Sequence, residues 1–251
     1  MREVIIAAIF AGTVAVCLGS IIGIAIFRHK GNSGNYRIYM AFSVGVIVGL
    51  LCFSILPESL EIQSAPLTIL LVAIGAFASF FATHSYKNKP RQTGHSPEKN
   101  AKRALLLVMA VAVHSFPEGL ALGAGFGLSF AQGMVWALMI LLHNIPIGIS
   151  MGITQSYSGI NNVRTATFAA LSGTPILIGA ITTEIFKAQS DQSIAVLLSL
   201  AGGALLAVVV SELKELLRQR PIAPVIIAAV IGLALCVTAN YAPEKLFLIG
   251  A

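Results

Sequence analysis

Residues 103–128 read RALLLVMAVAVHSFPEGLALGAGFGL, and residues 131–155 read AQGMVWALMILLHNIPIGISMGITQ. Each is an apolar run long enough to cross a hydrocarbon core of roughly 30 Å. Each is interrupted at its centre by the same spacing: His114-Ser115-Phe116-Pro117-Glu118-Gly119 and His143-Asn144-Ile145-Pro146-Ile147-Gly148. A titratable side chain where lipid or packed helix belongs is expensive, and that marks a functional site. Each proline also denies a helical donor to the carbonyl four residues back, on Val113 and Leu142, so a helix break is expected at Pro117 and Pro146.

The rest of the chain has the same character. Charged residues make up 10% and hydrophobic ones 57% of 251 residues, where a soluble domain carries about a quarter charged. The expected class is therefore all-α, a polytopic membrane protein. A porin-type barrel would show alternating segments of about ten residues, and none are visible. Eight spans are predicted, at about 4–27, 37–60, 66–86, 103–128, 131–155, 163–187, 193–213 and 222–241. They form a single transmembrane domain over residues 1–251, with one longer loop at 87–102. The first span is read as uncleaved, since no small-residue cleavage site follows it.

Thirteen of the sixteen Lys and Arg fall in the connections after spans one, three, five and seven; Arg2, Lys187 and Lys245 are the exceptions. Basic loops stay in the cytoplasm, so those connections are expected there, with both termini extracytoplasmic and the chain in the cytoplasmic (inner) membrane. The same distribution excludes nucleic acid as the partner that explains the net charge of +6: the basic residues are topology signals scattered over short loops. Cys17, Cys52 and Cys236 lie singly in apolar spans without CxxC spacing, as small buried hydrophobes do. Glycines four residues apart, such as Gly19/Gly23, Gly45/Gly49, Gly119/Gly123 and Gly148/Gly152, predict close helix packing.

His114 lies eleven residues into the fourth span and His143 twelve into the fifth. At 1.5 Å per residue both come roughly halfway across the membrane, and Glu118 shares a helical face with His114. Two imidazoles and a carboxylate form an open His₂Glu set, a ligand type suited to zinc. Asn144 and Ser115 either join that set or bridge helices. Glu58 and Glu61, at the end of span two, are either a funnel for incoming cations or solvated helix-end carboxylates. Glu184 is expected to pair with Lys187, and Glu212 and Glu215 to join Lys214 and Arg218 in a salt-bridged helix end.

The paired motif resembles the signature of the ZIP metal transporters, closest to their GufA-like bacterial branch. The resemblance implies a homodimer that moves a divalent metal into the cytosol, between spans four and five, by an elevator-like or rocking motion. It places His114, Glu118 and His143 at metal-ligand positions and Asn144 at a polar one. No prosthetic group is implied; the metal, zinc first and then iron or manganese, is cargo. Three positions depart: Ser115 stands for asparagine, Ile147 for a glutamate, and Thr174 for the glutamate of a span-six pattern. Ile47 also stands where a methionine ligand would be. With one carboxylate, one metal per protomer is expected. The rival reading is a non-transporting sensor or regulatory descendant with a degraded site. An intramembrane hydrolase would need a general base, as in His-Glu-x-x-His, and that motif is absent, so the chain is not read as an enzyme.

Overall fold

The computed structural model describes residues 1–30, 36–87, 97–187, 190–218 and 221–241, without the side chains at 30, 36, 82–87, 97–104, 106, 107, 110, 114, 187, 215 and 241. The expected loop at 87–102 thus falls largely outside the described residues. Among those described, every regular element is helical. The helices form eight rods: α1 (residues 2–30), α2 (residues 36–62), α3 (Ala65–Lys87), α4 (Pro97–Leu128), α5 (Phe130–Tyr157), α6 (residues 162–187), α7 (Asp191–Leu217) and α8 (Ala223–Tyr241). Of these, α1, α2, α5, α6, α7 and α8 contain stretches long and apolar enough to span a membrane; the apolar stretch of α3, Ala65–Phe81, is shorter. Large apolar side chains cover the outside, among them Phe10 and Ile21 on α1, Phe77 and Phe81 on α3, and Ile227 and Ile231 on α8. That is the surface of a protein solvated by lipid.

The rods associate as four long-range pairs: α1 with α5, α4 with α6, α2 with α8, and α3 with α7. A glycine closes each pair. A side-chain carbon added at Gly19 would overlap Ile145 O, at Gly119 Ile176 O, at Gly45 Ala229 O, and at Gly203 Val72 O. Backbones touch where lipid offers no hydrophobic drive between helices, as the glycine spacing predicts. The paired helices run in the same direction: Val16 meets Gly148 and Ser20 meets Gly152, while Gly119 meets Ile176 and Gly123 meets Ala180.

The pairing hides a repeat. Exchanging α1, α2, α3 with α6, α7, α8, and α4 with α5, turns α1–α5 into α6–α4 and α2–α8 into α7–α3. It also turns the contact of α2 with α5 into that of α7 with α4. Two antiparallel copies of one unit therefore make up the fold, with the two histidine motifs as equivalent elements, in the manner of inverted-repeat membrane carriers. Two groups result: α1, α4, α5 and α6 on one side, and α2, α3, α7 and α8 on the other.

Neither Pro117 nor Pro146 ends its helix: α4 and α5 run through both as continuous helices. A transmembrane proline is tolerated where neighbouring groups and small local adjustments re-satisfy the freed backbone. The irregularities lie elsewhere. π-helical turns occupy Ile9–Val14 and Leu51–Ile55, and α6 has a one-residue turn at Thr174 before Pro175. The first and last meet, because Gly12 packs directly on Gly173. Related helices α1 and α6 thus deviate at their mutual contact, beside the central polar cluster.

Candidate metal centre

Glu118 and His143 come together in the middle of the bundle. Glu118 Oε1 lies 3.3 Å from His143 Nε2, and both side chains are 1% exposed. Asn144 is fully buried beside them; its Nδ2 donates to Glu118 Oε2 at 3.0 Å and to Ala11 O at 2.9 Å. Ala11 belongs to the π-helical turn of α1, which presents its carbonyl to the amide. A π turn leaves backbone groups off the regular ladder, so this deviation has an evident use.

The other ring nitrogen of His143 is held by α2. Nδ1 lies 3.1 Å from Ser43 O and also meets Ser43 Oγ, whose hydroxyl donates to His143 O at 3.0 Å. A carbonyl only accepts, so Nδ1 carries a proton. Nε2 is the ring nitrogen that faces the Glu118 carboxylate. Among the described residues Asn144 Oδ1 has no donor. An imidazole nitrogen, a carboxylate and an amide oxygen thus stand close together out of reach of solvent, donor types that suit a transition-metal cation. By holding the far side of the ring, Ser43 fixes the orientation of the imidazole.

The Ser43–His143 link crosses between the two helix groups. Other bonds, such as Cys17 to Ala166 O, Arg37 to Leu216 O, Ser54 to Asn240 and Thr183 to Leu120 O, stay within one group. Nothing in the sequence motifs pointed to Ser43. The available signal was a lone polar residue in the apolar middle of span two.

The remaining sequence candidates distribute as follows. The His114 side chain lies outside the described residues. Ser115 is buried and turns back to Val111 O at 2.9 Å, within its own helix. Ile147 is buried in an apolar cluster with Val16, Val108, Val111, Met151 and Ala169, immediately beneath the polar centre. Thr174 is exposed, its hydroxyl bonded back to Ala170 O at 2.9 Å. Ile47 lies in the main apolar core. The positions at which the resembled family carries further ligands thus hold packing or surface groups.

Glu58 is half-buried and Glu61 exposed, at the end of α2. Glu184 contacts the amino group of Met1 at 3.2 Å, while the side chain of its expected partner Lys187 lies outside the described residues. Among the described residues neither Glu212 nor Lys214 forms an ion pair, so the expected salt-bridged helix end is not seen there. Both are solvent-facing helix-end groups, where an ion pair contributes little against side-chain entropy.

Comparison with known proteins agrees with this arrangement. Residues 82–239 match the family described as ZIP Zinc transporter. A 38-residue segment is 45% identical to the zinc transporter ZIP11 of Xenopus tropicalis, covering 15% of this chain and 11% of that protein. With well over half its length matched, and with both histidine motifs inside the match, the chain belongs to the ZIP zinc transporter family.

Proposed function

We propose that the protein carries a divalent transition metal, zinc before iron or manganese, across the cytoplasmic membrane into the cytosol. In this reading all eight rods cross the bilayer, both termini are extracytoplasmic, and two copies form the working unit. His114, Glu118 and His143 hold the ion, with Asn144 supporting Glu118. The observation that carries the reading is the Glu118–His143 approach: a ring nitrogen and a carboxylate oxygen 3.3 Å apart, both inaccessible, with the ring's other nitrogen held by Ser43. Nitrogen with carboxylate oxygen suits zinc and its neighbours, whereas Mg²⁺ and Ca²⁺ prefer oxygen-only shells.

A single carboxylate against a divalent ion leaves a net positive charge in a low-dielectric setting, which limits occupancy to one ion per protomer and weakens its hold. For a carrier, weak holding aids release. Glu58 and Glu61 stand where a funnel for arriving cations would be.

Zinc uptake into proteoliposomes tests this proposal. Wild type should accumulate Zn²⁺ and Glu118→Gln should not; equal, background-level uptake by both would defeat it. A second reading, a sensor that binds metal without moving it, draws on Ile147 and Thr174, which sit in an apolar cluster and on the surface. Metal binding that depends on Glu118 without any uptake would select that reading.

A further inference from the structure

One turn beyond the apolar cluster beneath the metal centre, three helices each bury a polar side chain without a hydrogen-bond partner among the described residues. Val16 of α1, Met151 of α5 and Ala169 of α6 belong to that cluster. Moving four residues toward the α5–α6 turn from each gives Ser20, Gln155 and Thr165. All three are 0% exposed. Among the described residues Ser20 Oγ, Thr165 Oγ1 and both amide atoms of Gln155 have no hydrogen-bond partner. Residues four apart lie on one helical face, so these side chains continue the seam that already joins Met151 to Ser172 at 4.0 Å and Cys17 to Ala166 O at 3.8 Å.

A buried amide with both ends unmatched, flanked by two unmatched hydroxyls, is unstable as a dry arrangement. Such groups call for small polar guests, and a buried water typically makes about three hydrogen bonds. We propose that this layer is a second, weak station for the cargo: a wet, neutral, oxygen-donating site for a divalent cation that keeps part of its hydration shell. The proposal rests on the carrier reading. Gln155 lies eleven residues along α5 from Asn144, about 16 Å at the helical rise. Between them stands the apolar cluster, with Ile147 and Met151 at its centre. An ion leaving Glu118 and His143 toward the α5–α6 turn passes this barrier and next meets oxygens. Neutral donors bind a divalent ion weakly, and conduction requires sites favourable enough to enter and weak enough to leave.

Two variants test the station with Zn²⁺ as probe. In proteoliposomes, Gln155→Leu combined with Thr165→Val should lower maximal Zn²⁺ uptake about tenfold, a barrier change of roughly one tenfold step. The half-saturating concentration and the calorimetric affinity of the central site should stay as in wild type. Gln155→Glu adds a carboxylate to the layer, and calorimetry should then find one more Zn²⁺ per protomer than in wild type. Unchanged uptake in the double variant, or unchanged stoichiometry in Gln155→Glu, overturns the station. A wild type without any Zn²⁺ uptake overturns the carrier reading instead, and the Gln155→Glu titration still decides whether a cation enters the layer.

Discussion

Two buried polar clusters in this protein differ in charge: one is neutral throughout, and the other holds a carboxylate beside an imidazole. Near the start of α3, Gln63 Nε2 donates to Thr68 Oγ1 at 3.1 Å and to Ser199 Oγ at 2.6 Å, while Ser199 donates to Ala195 O at 2.9 Å and Thr68 to Ser64 O at 3.2 Å. Gln192 completes the set by donating to Gln63 Oε1 at 3.4 Å. Donors and acceptors match, all are neutral, and the cluster ties α2, α3 and α7 together. The central cluster has a carboxylate and an imidazole 3.3 Å apart, with the amide of Asn144 against the carboxylate. A neutral, mutually bonded network fastens helices; a carboxylate beside an imidazole can hold a cation. Burial alone does not separate the two, because Gln63, Thr68 and Ser199 are buried as Glu118, His143 and Asn144 are.

The contrast is most strongly tested at Glu118. Glu118→Gln removes the one carboxylate, and loss of one partner from a buried pair is worth about 3 kcal/mol or more, so Zn²⁺ uptake should fall about a hundredfold or below detection. Ser43→Ala frees the His143 ring without touching the ion, and such outer partners typically alter metal affinity about tenfold to a hundredfold. Calorimetry should place this variant between wild type and Glu118→Gln. The smallest effect belongs to the balanced cluster. Ser199→Ala should lower unfolding stability by about 1–3 kcal/mol through the group left unmatched, with Zn²⁺ affinity unchanged. A loss of affinity there would erase the distinction between the clusters.

Much of the architecture was legible because lipid imposes one rule, that apolar helices of bilayer length follow one another. The expected segments 131–155 and 193–213 lie inside the helices Phe130–Tyr157 and Asp191–Leu217, and six of the eight rods hold stretches long and apolar enough to span a membrane. Glycine spacing foretold close contacts but not which helices make them. That information lies in long-range pairing, and the internal two-fold appears in sequence only as the duplicated histidine motif. Proline misled in the opposite way: Pro117 and Pro146 weaken one bond each, and the surrounding helices keep α4 and α5 continuous.

At the site, Glu118, His143 and Asn144 were readable because each is costly in an apolar run, and the structure brings these three together. Ser43 was not, since a lone serine in a span normally bonds to its own helix. Only tertiary packing turns it toward His143. Ile147 was read as a missing ligand. Its position adds something further, an apolar layer closing one side of the centre.

Calorimetric titration of purified wild type with Zn²⁺, beside Glu118→Gln, addresses the central claim most directly. The Glu118–His143 cluster predicts one Zn²⁺ per protomer in wild type and none in the variant at the same concentrations. Two tight sites in wild type, or an unaltered isotherm in Glu118→Gln, would contradict it.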